Sequence, residues 1–128
     1  MAKIITNKGL SILASRIKGV GTEPLYIGWG TGIAAPVATN TQLATEDTTG
    51  GYARSPGVST IVTITQAGDT YQVSGSITAL AVLTITEWGL FDAVSGGNML
   101  LREVITPGSV LAIGGILNFT FKIQMARC

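Results

Sequence analysis

The residues of this chain that could do chemistry are few and scattered. The acidic ones are Glu23, Glu46, Asp47, Asp69, Glu87, Asp92 and Glu103, and none of the 128 residues is histidine. The commonest general base and the commonest metal ligand are therefore both missing. Ser and Thr are plentiful, but a hydroxyl nucleophile needs a base beside it. Only Lys3, Lys8, Lys18 or Lys122 remain for that role. Glu87 and Glu103 fall on segments that read as paired strands. Two carboxylates flanking a cleft can cleave a glycoside; a cross-strand pair of one of them with Arg102 or Arg54 is the plainer expectation. Glu46 and Asp47 are adjacent, with no further ligands at calcium-loop spacing. Asp69 follows Ala67-Gly68 in a hairpin turn, where an aspartate bonds the local backbone. Gly28-Trp29-Gly30-Thr31-Gly32 has the glycines of a phosphate loop, but neither a helix start nor a Lys-Ser/Thr follows. Glycines there let a strand end sharply and let another backbone come close. The expectation is a protein that is not an enzyme, with no catalytic residue, no cofactor and no metal site.

Composition points the same way. Charged residues make up 12% of the chain, about half the usual share of roughly 25%. A surface so poor in charge suits a protein packed against copies of itself or a partner, or simply a Thr-rich β domain. The net charge of +1 creates no field to attract nucleic acid or an anionic membrane. Trp29, Trp88, Tyr26, Tyr52 and Tyr71 are not interleaved with basic residues, so no base-stacking surface is expected. The single cysteine, Cys128, can form no disulfide within the chain. The N-terminal residues do not read as a signal peptide, and no apolar run approaches a membrane span.

The elements that must position these residues are mostly strands. Residues 1–128 read as a single β-sandwich domain. One helix is expected over about 7–18, capped by Thr6 or Asn7 and ended by Gly19 and Gly21. Leu10, Leu13, Ala14 and Ile17 form its apolar stripe, which must lie on a sheet or on a neighbouring subunit. Residues 24–30 read as a short strand, with Leu25, Ile27 and Trp29 on one face. A long loop follows over about 31–57, with one turn or short helix near Gln42-Leu43-Ala44; loops this long are commonly functional. The β-core spans about 58–126: strands at 59–66, 71–79, 84–91 and 99–105, a break at Pro107-Gly108, and a last strand whose Leu117, Phe119, Phe121, Ile123 and Met125 face inward. Short strands joined by glycine-containing turns argue for a mainly β fold: an antiparallel β-sandwich or small barrel, jelly-roll-like, with one N-terminal amphipathic helix.

Three segments carry a resemblance. Ile85-Thr86-Glu87-Trp88-Gly89-Leu90-Phe91-Asp92-Ala93, Gly96-Gly97-Asn98-Met99-Leu100-Leu101-Arg102 and Phe119-Thr120-Phe121-Lys122 resemble a strand–turn–strand pattern of tailed-bacteriophage structural proteins. Asn7-Lys8-Gly9-Leu10 and Leu25-Tyr26-Ile27-Gly28-Trp29-Gly30-Thr31-Gly32 look like the start of such small virion proteins. The likeness runs over nearly the whole chain and is least constrained at 31–57. A Gly-Leu-Phe-Asp segment also occurs in tail-fibre and collar proteins. A compact chain with one helix, one β domain and no repetitive shaft looks most like a capsid decoration, or cement, protein. That resemblance implies a homo-oligomer, with a trimer favoured, bound to the major capsid protein on the outer capsid surface of the virion and made in the bacterial host cytoplasm. It implies neither nucleic acid nor membrane as a partner. The alternative is a tail fibre, collar or baseplate component that binds a host or glycan. The helix stripe and the long loop are the expected contact surfaces, with Leu10, Leu13, Ile17, Trp29, Ile33, Val37, Leu43 and Tyr52 as candidate interface residues.

Overall fold

A computed structural model describes residues 2–47 and 54–127. Its elements run β1 (Ala2–Ile5), α1 (Asn7–Lys18), β2 (Tyr26–Gly30), β3 (Ser55–Pro56), β4 (Val58–Val62), β5 (Thr70–Thr78), β6 (Leu83–Phe91), β7 (Met99–Leu111) and β8 (Ile116–Gln124). They form a five-stranded sheet in the order β1-β7-β6-β2-β3 and a three-stranded sheet in the order β4-β5-β8. Every strand pair is antiparallel. The fold is mainly β and sandwich-like, with one helix, as the strand spacing predicts.

Between the sheets lie Ile27, Trp29, Val73, Leu90, Phe119 and Phe121, with Ile12 of α1 added from one end. Period-two alternation puts them there: Val73 and Ile77 of β5 are buried, whereas Ser76 and Thr78 are exposed. Trp88 meets Phe119 edge-on, with ring centroids 4.8 Å apart, and donates its Nε1–H to Glu103 Oε2 at 2.9 Å. The half-buried indole thus has both an apolar partner and an acceptor.

The helix is held mainly at its first turn. Thr6 Oγ1 accepts from Gly9 N and donates to Met99 O, tying the N-cap to the start of β7. A Cβ on Gly9 would collide with Leu100 O and with Ile5 Cγ2, so glycine allows the helix backbone to touch the sheet. Gly19 at φ 86° closes the last turn, with Arg16 and Lys18 beside it. The helix buries Gly9 and Ile12. Of the expected stripe only Leu13, half-buried, packs on the core; Leu10, Ala14 and Ile17 are exposed, so the stripe as a whole does not lie on the sheet, which leaves the alternative of a neighbouring subunit. Gly9 turns the helix. A side-chain-free residue can approach a strand more closely than the larger aliphatic face can.

Three other expectations change. Pro107-Gly108 does not end its strand; β7 continues to Leu111, and residues 105–108 bulge opposite Thr86 alone, between the pairs Glu87↔Val104 and Ile85↔Ser109. Met125 lies beyond β8 and is half-exposed rather than facing inward. The long loop contains β3 and a bridge between Gly30 and Glu46; of the expected turn or short helix near Gln42-Leu43-Ala44, the turn is what forms, at Ala44 and Thr45.

The connection from β4 to β5 is organised by one carboxylate. Asp69 accepts from the backbone N–H groups of Ile64, Thr65 and Gln66, each at 3.0 Å, and from Gln124 Nε2 at 2.9 Å. The bond from Gln66, then that from Ile64, holds its carboxyl far below the usual carboxylate range. A depressed folded-state pKa stabilises fully above the unfolded value of about 3.9 and is lost only as pH falls through the lower folded value. Amide exchange at Ile64 and Gln66 should therefore keep its protection down through pH 4, corrected for intrinsic rates. Asp69→Asn should remove that protection at neutral pH; unchanged exchange in this variant would contradict the assignment.

Candidate interaction surfaces and the buried polar cluster

The outer face of the larger sheet carries charge and glycine together. Gly28 pairs with Gly89 and Gly30 with Glu87 across β2 and β6, and Gly89 pairs with Arg102 across β6 and β7. A Cβ on Gly28 would come within 3.0 Å of Glu46 Oε2 and of the Phe91 ring, and one on Gly30 would run into Thr45 O. The missing side chains leave a shallow trough. The loop after β2 lies in it, with Leu43 packed on Phe91 and Met99. The Gly-Trp-Gly-Thr-Gly run therefore admits this chain's own backbone.

Glu87 and Arg102 sit at the floor of the trough, both essentially unexposed. Arg102 Nε and Nη2 donate to Glu87 Oε2 at 2.9 and 2.8 Å, and Nη1 donates to Asn40 Oδ1 at 3.3 Å. Glu87 also accepts from the backbone N–H groups of Thr45 (2.7 Å), Ala44 (3.0 Å) and Gly32 (3.2 Å). Five donors converge on a carboxylate with about four lone-pair sites, so its accepting capacity is spent. The arrangement clamps a loop; it has no spare acceptor for a substrate proton. Beside it, Arg54 grips Glu46 at 2.8 and 2.9 Å, lies 3.4 Å over the Phe91 ring, and donates to Gly96 O and Ala93 O in the β6–β7 turn. Among the described residues, no cluster of three or more His, Cys, Asp or Glu is placed to hold a metal ion.

The candidate interface residues do not form one surface. Trp29 and Leu43 are each 2% exposed and are spent inside the protomer, Trp29 between the sheets and Leu43 under the loop. Leu10 and Ile17 are exposed on the helix with Leu13 half-buried among them, while Ile33 and Val37 are exposed on the loop. Tyr52 lies outside the described residues. Sequence reasoning passed over a second apolar surface: Leu80, Val82, Val110, Ile113 and Ile116, each 59 to 72% exposed. These residues sit where β5 passes to β6 and β7 to β8. The signal was present in the chain: no charged residue occurs between Glu103 and Lys122, or between Asp69 and Glu87.

The clamp predicts its own failure. Arg102→Met leaves a buried carboxylate without its counter-ion and should lower stability by about 3–5 kcal/mol. Urea unfolding reads the loss, and amide exchange should rise at Gly32, Ala44 and Thr45 before it rises in β5 or β8. An unshifted urea midpoint would rule out the clamp as described.

Comparison with known proteins bears on the role of this scaffold. No curated protein matches the chain, and no solved structure does. A family model described as podophage GP4 fiber I protein gp80 matches residues 3–124, from β1 to the end of β8, and so takes in the helix, the loop after β2 and both sheets. With nearly its whole length in that match, the chain belongs to the podophage GP4 fiber I protein gp80 family and is a phage virion structural protein.

Proposed function

We propose that this chain is a fibre subunit of a short-tailed phage particle, a non-catalytic building block that assembles with copies of itself. The observation that carries this reading is the family match over 3–124 to a model described as a fibre protein. The physical build supports it. The strongest polar interactions, Glu87–Arg102 and Arg54–Glu46, are turned inward to stiffen the protomer. Large aliphatic side chains are left outside at both ends. A rigid module with apolar ends loses little conformational freedom on assembly. Repeated copies on one particle then turn weak single contacts into strong attachment.

Capsid decoration, the expectation from the resemblance, is the second reading. It is favoured by the form of the described chain: two short sheets closed by a helix, with no extended shaft. Bound copies would stabilise a shell by mass action.

Gold-labelled antibody against this chain, imaged on intact particles by electron microscopy, separates the two. The fibre reading expects gold at the tail and its appendages. Uniform labelling of the head would overturn it in favour of decoration.

A further inference from the structure

The two exposed apolar surfaces lie at opposite ends of the sandwich. At one end, which we call the tip, the 79–82 and 112–115 connections are bonded to each other: Ala79 N donates to Gly115 O at 2.8 Å and Gly114 N to Ala79 O at 2.7 Å. Thr78↔Ile116, Leu83↔Leu111 and Thr84↔Val110 are the neighbouring strand pairs. Leu80, Val82, Val110, Ile113 and Ile116 therefore cluster around one fastened end. At the other end, β5 begins at Thr70 opposite Gln124, and β6 and β7 meet at Phe91 and Met99. The helix closes this end. Its N-cap bonds Met99 O, its Ile12 enters the core, and its later turns border Tyr71 and Met125. A nine-residue strand separates the two ends by about 30 Å.

The helix end is concave. A groove of about 460 Å³ is lined by Leu13, Ile17, Pro24, Tyr71 and Met125, with Arg16 and Glu23 as its charged members. Each charged side chain has a polar neighbour within the protomer: Arg16 Nη1 donates to Gly21 O at 2.7 Å, and Tyr71 Oη, 2.9 Å from Pro24 O, lies 3.1 Å from Glu23 Oε1. Burial, and then the neighbouring Glu23 carboxylate, push the Tyr71 phenol above its ordinary value, so its ring lines the groove as a neutral group. Ile17 beside the groove is 88% exposed. A hollow lined mostly by apolar side chains suits an apolar occupant, and the tip of the same molecule presents fastened loops bearing Leu80 and Ile113.

We propose that copies of this chain stack head to tail, the aliphatic tip of one protomer seated in the helix-end groove of the next. The areas match what such a contact needs. The five tip residues are each 59 to 72% exposed, and Leu10, Ile17, Val20 and Met125 at the helix end 50 to 88%; each set leaves apolar surface comparable to the roughly 450 Å² that one side of a standard interface contributes. Patches of this order are as large as the largest a monomer ordinarily exposes, and such patches often mark contact surfaces. The two surfaces are different patches at opposite ends of the protomer, so the contact is heterologous. A heterologous contact that does not close on itself extends into a linear array.

This stacking deepens the fibre reading and rests on it, and mixing purified variants separates the two. The tip variant is Val110→Glu with Ile113→Glu, and the helix-end variant is Leu10→Glu with Ile17→Glu. All four positions are exposed, so both proteins should keep the wild-type circular dichroism and unfolding midpoint. Sedimentation velocity of the wild type should show a ladder of species growing with concentration. Each variant alone should be monomeric, its self-association weakened at least about 100-fold by carboxylates placed in an apolar contact. An equimolar mixture should form a 1:1 dimer and nothing longer, because each partner keeps one intact end. A monomeric wild type, a mixture that stays monomeric, or oligomers surviving in either variant alone, as tip-to-tip or β4 edge pairing would give, would each overturn the stacking. Tail labelling on particles would then still stand by itself, and head labelling with an intact ladder would remove only the fibre reading.

Discussion

The buried Glu87–Arg102 pair is the constraint around which the larger sheet is organised. An ion pair withdrawn from water loses hydration worth several kcal/mol per ion, and mutual attraction offsets that only when the remaining bonding capacity is filled. Here it is filled by the chain's own loop. Three backbone N–H groups from 32, 44 and 45 complete the carboxylate, and Asn40 Oδ1 takes one guanidinium proton. The loop cannot leave without exposing an unsatisfied charge, and the charge cannot be buried without the loop. A segment that lacks periodic structure is thereby given one place to lie.

Glycine makes the pair possible. Between neighbouring strands, Gly28, Gly30 and Gly89 remove the side chains that would otherwise stand where Glu46, Thr45 and Leu43 now pack. The sheet is consequently covered on both faces: by the smaller sheet and the helix on one, by the loop on the other. β2 shows the result, with Ile27, Gly28, Trp29 and Gly30 all buried rather than alternating. A strand covered on both sides loses the period-two signature of a half-exposed one. Arg54 carries the same design outward, joining the loop, the Phe91 ring and the β6–β7 turn through one guanidinium.

Spending charge inside leaves an outside with little of it. Four of the fifteen charged residues, Glu46, Arg54, Glu87 and Arg102, are committed to the two ion pairs beneath the loop. What remains outside includes wholly uncharged stretches at one end and an apolar-lined groove at the other. For a virion building block this leaves surfaces that neighbouring molecules can cover. The family match and the physical reading meet at that point.

Much of this was legible in the chain itself. Local rules suffice for the helix over 7–18, because its cap, its closing glycine and its basic last turn act within one segment. They suffice for β5, where alternate residues are buried, and for the Asp69 turn. Composition told of a poorly charged surface, and Arg102 was recognisable as a cross-strand partner for a glutamate. Tertiary structure alone decided the rest. Which face of the helix turns inward depended on the close approach of Gly9 to Leu100 O, a contact ninety-one residues apart in sequence that no local period encodes. Trp29 and Leu43 were absorbed into two different cores because β2 is covered on both sides. The loop's docking on Glu87, and the gathering of Leu80, Val82, Val110, Ile113 and Ile116 at one end, arise from strand pairing between distant segments. Sequence carries the preferences of each segment; only the closed sandwich fixes which preferences are satisfied within the molecule and which are left at its surface.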